Sequence, residues 1–422
     1  MRRLLAAVVA VAVCATACFG GDDAKHDSAG KDVSGAIRVQ VSGGASEIAA
    51  YKGLAAAFQK SHPRTKVNVA AVADEGDHVA RLATALAGSN PPDVFVVDHR
   101  RYAPFAERGV IEPMGEHLGP LDDDDFAEQA IDAFTYKGKL QCLPQSASSA
   151  VVYLNTALFA AAGVAAPKQG WTVADLASTV DRLAAKGVKD PIGFAPSLRT
   201  LAPFVWSAGG EIVDDNADPT RIALGSAPAR GALELLISLE RKGAAATDRA
   251  AGAAGGAETR FARGQVAMLI DSRRAVPALR KAKVPFDVVP LPVEREAATL
   301  FVSDGYCVAK AANNQSLAQE FARYAVGSVG GKVLAASGLT VPSLTSLASS
   351  PAFLDPARAP KSAKVWLDAL PTARRLPDSA AWHAAEEVAD GILAQVFAGK
   401  LPVDQAIERI SADTAREFAE RR

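Results

Sequence analysis

The chain of 422 residues is poor in the groups that metal and nucleophilic chemistry use, with four cysteines, six histidines and 6% aromatic residues. The histidines are scattered without paired spacing and there is no CxxC, so no metal-site signature is present, and neither a metal nor a cofactor is expected. A Walker motif, GxSxG, HExxH and GxGxxG are also missing, which removes the common phosphate-cradling and hydrolytic signatures. With 46 basic against 47 acidic residues, the net charge of −1 argues against nucleic acid as a partner. No apolar run approaches the ~18 residues that a membrane-spanning helix requires. Few aromatics mean few stacking positions, which favours a small ligand of about one to three rings over a long chain.

What is present begins with an export signal. Met1-Arg2-Arg3 supplies a positive start, Leu4 to Val13 an apolar stretch, and Ala15-Thr16-Ala17 the small residues that cleavage needs. A small triplet followed by Cys18 resembles a lipobox, so Cys18 is expected to be lipidated after removal of residues 1–17. The chain is then expected at the outer face of the cell membrane, held by its lipid alone. Loss of Arg2 and Arg3 leaves 44 basic residues against 47 acidic, or −3. Residues 18–34, rich in Gly, Ser, Asp and Lys, read as a flexible tether. With Cys14 removed and Cys18 lipidated, Cys142 and Cys307 are left, and two cysteines form a disulfide or none.

The remaining length exceeds what one core usually serves, so two domains are expected. Ile37–Val41 alternates as a strand, a helix follows through Tyr51, Leu54 and Phe58, and Thr65–Val72 alternates again. Residues 77–87 form an amphipathic helix, and Val94–Asp98 follows Pro91-Pro92-Asp93 as a continuous apolar run, the mark of a strand buried on both faces. This β-α-β-α-β pattern predicts an α/β lobe. The four acids Asp122–Asp125 lack the Gly and terminal Glu of an EF-hand loop and read as a solvated helix start. Tyr136–Pro144 reads as a hairpin, and Thr172 as the N-cap of a helix that opens a second α/β lobe.

Taken in order, several short motifs resemble those of the extracellular solute-binding proteins of ABC importers, in the sugar-binding group that includes the maltose-binding protein. They are Pro92-Asp93-Val94 with Asp98, Gly109 to Pro113, Gly138 to Pro144, Val152-Tyr153-Leu154-Asn155 and Gly170-Trp171-Thr172. Gly209-Gly210, Phe261 to Met268, Pro290-Leu291-Pro292 and Pro342 continue the series. The resemblance implies a periplasmic-binding-protein-like clamp, two α/β lobes joined by crossing hinge strands, with solute held in the cleft. Residues 35–141 plus 307–340 would form the first lobe, and residues 146–301 plus 343–422 the second. The crossings would lie near 141–145, 300–308 and 339–342. Cys142 and Cys307 then fall on adjacent hinge strands, which implies a disulfide between them.

A sugar offers hydroxyls and an apolar CH face, so its site needs planar acceptors or donors and an aromatic platform. Asp98 at a strand's C-terminal end and Glu47 just after the first strand are candidate acceptors. Trp382, in a late segment similar to the family's aromatic stacking position, is the candidate platform, with Trp206 a second. Trp171 and Trp366 read as structural. Asp304-Gly305-Tyr306 and Gln145, on the crossings, are expected at the cleft floor, where Gly305 would allow close approach of a ligand. After Met268 the family often carries a stacking aromatic, whereas this chain has Asp271-Ser272-Arg273-Arg274. Arg273 and Arg274 suit a carboxylate or phosphate, which raises an anionic solute, such as a glycerophosphodiester or sugar acid, as the alternative to a carbohydrate. The resemblance further implies a monomer, not an enzyme, that delivers solute to the permease subunits of an importer. An exported glycan-active enzyme pairing Asp98 with Asp271 or Asp304 is a remote alternative.

Overall fold

The computed structural model describes residues 33–88, 90–216, 218–242 and 256–420. The expected signal peptide, Cys18 and the tether up to residue 32 lie outside the described residues.

Alternation makes Gly35–Ser42 a strand that turns Ile37, Val39 and Val41 into a core. It pairs in parallel with Thr65–Val72 on one side and with Val94–Asp98 on the other. Val94–Asp98 is buried throughout, and its far edge pairs antiparallel with Asp304–Ala309, a strand from late in the chain. Ile111–Glu112 and Leu143–Pro144 complete this six-stranded sheet by pairing with the late strand. A second sheet runs Asp190–Gly193, Val266–Asp271, Val151–Asn155, Phe286–Val289, and is mixed, with only its first pair parallel. Each sheet has its own apolar core: Leu54, Phe58, Phe95 and Phe321 belong to the first, and Leu176, Phe194 and Trp206 to the second. These are the two α/β lobes.

Three segments lie side by side between the lobes. Gln145 donates its backbone N–H to Asp304 O at 2.7 Å, and Ala147 donates to Val341 O at 3.0 Å. Ser148–Ser149 pairs with Thr299–Val302, which also pairs with Ala373–Arg374. A disulfide joins Cys142 to Cys307 beside this region, in the first lobe's core, with Cα atoms 4.3 Å apart and a sequence separation of 165.

Several local readings have direct physical counterparts. Thr172 caps the helix Val173–Ala185 by accepting the Asp175 N–H, and the Thr135–Tyr136 and Lys139–Leu140 strands form a hairpin whose turn puts Lys137 and Gly138 at positive φ. Asp123–Asp125 is a solvent-exposed helical turn. Gly305 is a correction: a Cβ there would come within 2.6 Å of the Phe134 ring, so the missing side chain admits a core aromatic rather than a ligand. Among the described residues no helix is long and apolar enough to cross a membrane.

Candidate functional site

The strand Val94–Asp98 ends in a carboxylate, and the antiparallel register sets Asp304 directly opposite Asp98. Two buried acids side by side repel unless cations are supplied. Arg100, just beyond the strand end, supplies one: its backbone N–H and Nε reach Asp98 Oδ1 at 2.9 and 3.0 Å, and its Nη1 meets both Glu386 oxygens at 2.6 and 2.5 Å. Arg199, in the first turn of the helix Leu198–Ser207, lies 3.6 Å from Asp98. Burial alone would raise the Asp98 pKa, but Arg100, His99 and Arg199 hold it far below the usual carboxylate range.

Asp304 is served from the other lobe. Arg274, in the short turn after Val266–Asp271, places Nε 2.7 Å from Glu47 Oε1 and Nη1 3.7 Å from Asp304 Oδ1. Glu47 sits in the first turn of the helix Ala45–Ser61, where it also accepts the Gly44 N–H at 2.7 Å. Arg274 therefore bridges the lobes, as do Arg100–Glu386 and the contact of Arg101 with His383. Burial pushes Asp304 up to about 6, with Arg274 opposing and Asp98 reinforcing the shift. Asp271 also rises to about 6 through burial, despite the Ser272 N–H it accepts and the fields of Arg199 and Arg274. Asp390 accepts the Leu198 N–H at 2.7 Å and is raised to about 7, by burial and then by Glu386. His99 is neutral near pH 7: burial lowers it to about 4 against the pull of Asp98, helped by Arg100 and Arg199.

The structure thus brings Glu47, Asp98, Asp271, Arg274 and Asp304 into one charged cluster between the lobes. Gln145 adjoins it, donating Nε2 to the Tyr51 hydroxyl at 3.1 Å while its buried Oε1 has no protein partner. At the rim, an opening of about 270 Å³ is lined by Arg100, Arg101, Phe105, Arg108, His383 and Glu387.

Four candidates lie elsewhere. Arg273 points into a core: its guanidinium lies 4.5 Å from the Trp366 ring and 4.8 Å from Phe353, and its Nε donates to Gly338 O. A short helical turn separates successive side chains widely, which sends Arg273 inward and Arg274 to the cleft. Trp382 is fully buried within the second lobe's core, so it offers no open platform in this arrangement. Trp206 is packed in the same core and covered by the Arg374 guanidinium at 4.7 Å, which Glu211 holds with contacts of 2.9 and 2.6 Å. Tyr306 is buried against Phe321 in the first lobe, its hydroxyl without a protein partner. Trp171 and Trp366 are buried as structural residues.

Arg100, Arg199, Glu386, His99 and Tyr51 adjoin this candidate cluster, and sequence reasoning passed over them. Arg100 had a signal, since a buried strand ending in Asp demands a nearby cation and His99-Arg100-Arg101 follows at once. Glu386 had none, being 286 residues from Arg100. Among the described residues no group of three or more His, Cys, Asp or Glu is placed to hold a metal. Chemically the cluster offers carboxylate acceptors and guanidinium donors at short range, suited to hydroxyl-rich or charged small molecules.

The family model for bacterial extracellular solute-binding proteins matches residues 44–332. Among curated proteins, the chain is 25% identical over 426 residues to the diacetylchitobiose-binding protein DasA of Streptomyces coelicolor, covering 96% of each. The fold is similar to that of the ABC substrate-binding protein Lmo0181 of Listeria monocytogenes, solved with cycloalternan, at a TM-score of 0.82 and 23% identity over 91% of this chain and 99% of that one. It is also similar to UgpB of Mycobacterium tuberculosis, solved with glycerophosphocholine, at 0.78 and 20% over 92% and 99%.

Proposed function

Because this chain belongs to the bacterial extracellular solute-binding proteins, we propose that it captures a mono- or short oligosaccharide between its lobes and delivers it to the permease of an ABC importer. The observation that carries this reading is the cluster of Glu47, Asp98 and Asp304 facing Asp271, Arg199 and Arg274 across the lobe boundary. Carboxylates accept several sugar hydroxyls each, and guanidinium groups donate to the same ring. The likeness to a diacetylchitobiose-binding protein and to a fold solved with cycloalternan supports a carbohydrate.

Opening and closing occur about the three crossings, with residues 35–141 plus 307–340 on one side and 146–301 plus 343–422 on the other. The protein works as a monomer, anchored through Cys18 at the outer face of the membrane, and releases its solute unchanged. A second reading, an anionic solute such as a glycerophosphodiester, is favoured by Arg199 and Arg274 at the cleft and by the likeness to the protein solved with glycerophosphocholine.

A thermal-shift screen against neutral sugars, sugar acids and phosphodiesters tests both, since a ligand bound only by the native state must raise the melting temperature. A shift with neutral sugars, lost in Asp271→Asn and Glu47→Gln, supports the carbohydrate reading. A shift with anions only, lost in Arg274→Ala or Arg199→Ala, replaces it with the second. Silence over the whole panel refutes small-solute capture of these classes, and turnover of a glycan refutes passive delivery.

A further inference from the structure

Three arginines converge outside the cleft. Arg280, on the helix Val276–Ala282, donates Nε to Ala359 O at 2.7 Å and Nη1 to Ala336 O at 3.2 Å. Arg358, which is exposed, donates Nη1 to the same Ala336 O at 2.6 Å. Two nitrogens sharing one acceptor cannot be farther apart than about 6 Å. Arg273 donates Nε to Gly338 O at 3.0 Å, and its Nη1 and Nη2 are buried without a protein partner.

The carbonyls of Ala336 and Gly338 lie at the C-terminal end of the helix Ser328–Ser337, the pole that favours cations. That pole carries roughly half a charge, against three guanidinium groups. Among the described residues no carboxylate comes within 4.0 Å of any of the three. The acid acting on Arg280 is Asp355, whose Oδ1 already takes the Ala357 N–H at 2.9 Å. The crowding is felt electrostatically: burial lowers Arg273 to about 9 and Arg280 to about 10, with Arg280 and Arg358 acting on Arg273 and Arg358 on Arg280. Three guanidinium groups against the one acid Asp355, with the nitrogens that Arg280 and Arg358 do not spend on Ala336 and Ala359 left as donors, form an acceptor for a tetrahedral anion.

We infer that Arg280 and Arg358, backed by Arg273, form an accessory site for a doubly charged tetrahedral oxyanion of the phosphate class, separate from the solute cleft. An anion there ties the helix Val276–Ala282 and the Ala357–Ala359 loop to residues 336–338, next to the crossing at Leu339–Ser343. Occupancy therefore stiffens the region about which the lobes turn.

Isothermal titration of the intact protein with inorganic phosphate, at ionic strength held constant with chloride, tests the site. Saturable one-to-one binding is expected, weakened about tenfold or more in Arg358→Gln and unchanged in the surface variant Arg416→Gln, which lies outside both sites. Arg280→Gln removes two carbonyl contacts and endangers folding, so the exposed Arg358 carries the test. Absence of saturable binding above chloride, or binding untouched by Arg358→Gln, overturns the inference. Co-sedimentation with phosphatidylglycerol vesicles separates the sources of the phosphate: retention lost in Arg358→Gln assigns it to a lipid headgroup, and phosphate binding without retention assigns a free anion.

Discussion

Two buried strands end in an aspartate at the lobe boundary, Val94–Asp98 in the first lobe and Val266–Asp271 in the second, and the two carboxylates titrate in opposite directions. Both suffer burial. Asp98 has Arg100 at 3.0 Å and Arg199 at 3.6 Å, and stays ionised far into acid. Asp271 feels Arg199 and Arg274 without a direct guanidinium contact, and burial carries it up to about 6. A strand-end aspartate is thus a fixed charge or a titrating group according to whether a guanidinium touches it. The same lesson separates Arg273 from Arg274, neighbours in sequence, one packed on Trp366 and the other bridging Glu47 and Asp304.

The largest test of this contrast is Arg100→Ala, which strips the direct partner from both Asp98 and Glu386. A loss of about 3–5 kcal/mol in denaturant unfolding is expected, because breaking a buried pair leaves charges uncompensated. A loss below about 1 kcal/mol would mean the pair is solvated. Next comes the sign difference between two isosteric changes at pH 7. Asp98→Asn should destabilise by about 2 kcal/mol, since its ion pairs weaken, whereas Asp271→Asn should stabilise by about 1 kcal/mol by removing a poorly compensated charge. Equal signs would erase the distinction between the two strand ends.

A pH series sharpens it further. Asp271 and Asp304 bind protons more tightly in the folded than in the unfolded chain, so the stability they contribute is present below their ordinary value of 3.8 and declines as pH rises through about 6. Asp98, being depressed, contributes stability above 3.8 that is lost only on acidification. Unfolding midpoints between pH 4 and 7 should therefore fall less in Asp271→Asn than in the native protein, and Asp98→Asn should flatten that slope only as far as Asp304 loses the reinforcing field of Asp98. The smallest effect belongs to Arg274→Ala, whose side chain is 30% exposed: about 0.5–1 kcal/mol, diminished by salt, while scattering should register a shift toward the open form.

Much of the fold was legible because it rests on local chemistry. The unbroken apolar run of Val94–Asp98 marked a strand buried on both faces, Thr172 marked a helix start, and Trp366 with its helical apolar neighbours marked a core residue. The site was legible only in part. Glu47, Asp98, Asp271, Arg274 and Asp304 were nominated by type and position, yet Trp382, Trp206, Tyr306 and Arg273 were nominated on the same grounds and are packed away. An aromatic side chain buries well against apolar partners or against a sugar, and nothing in its own residue type separates the two.

The order of strands, turns and caps along the chain, and with it the two-lobed plan, follows from side-chain period and backbone preference, which act over a few residues and leave their imprint in the sequence. The charge state of each acid and the direction of each arginine were decided only on folding. Arg100 and Glu386 meet across 286 residues, and Arg274 meets Glu47 across 227. Electrostatic energy depends on distance and burial in space, and neither is written in the spacing of residues along the chain.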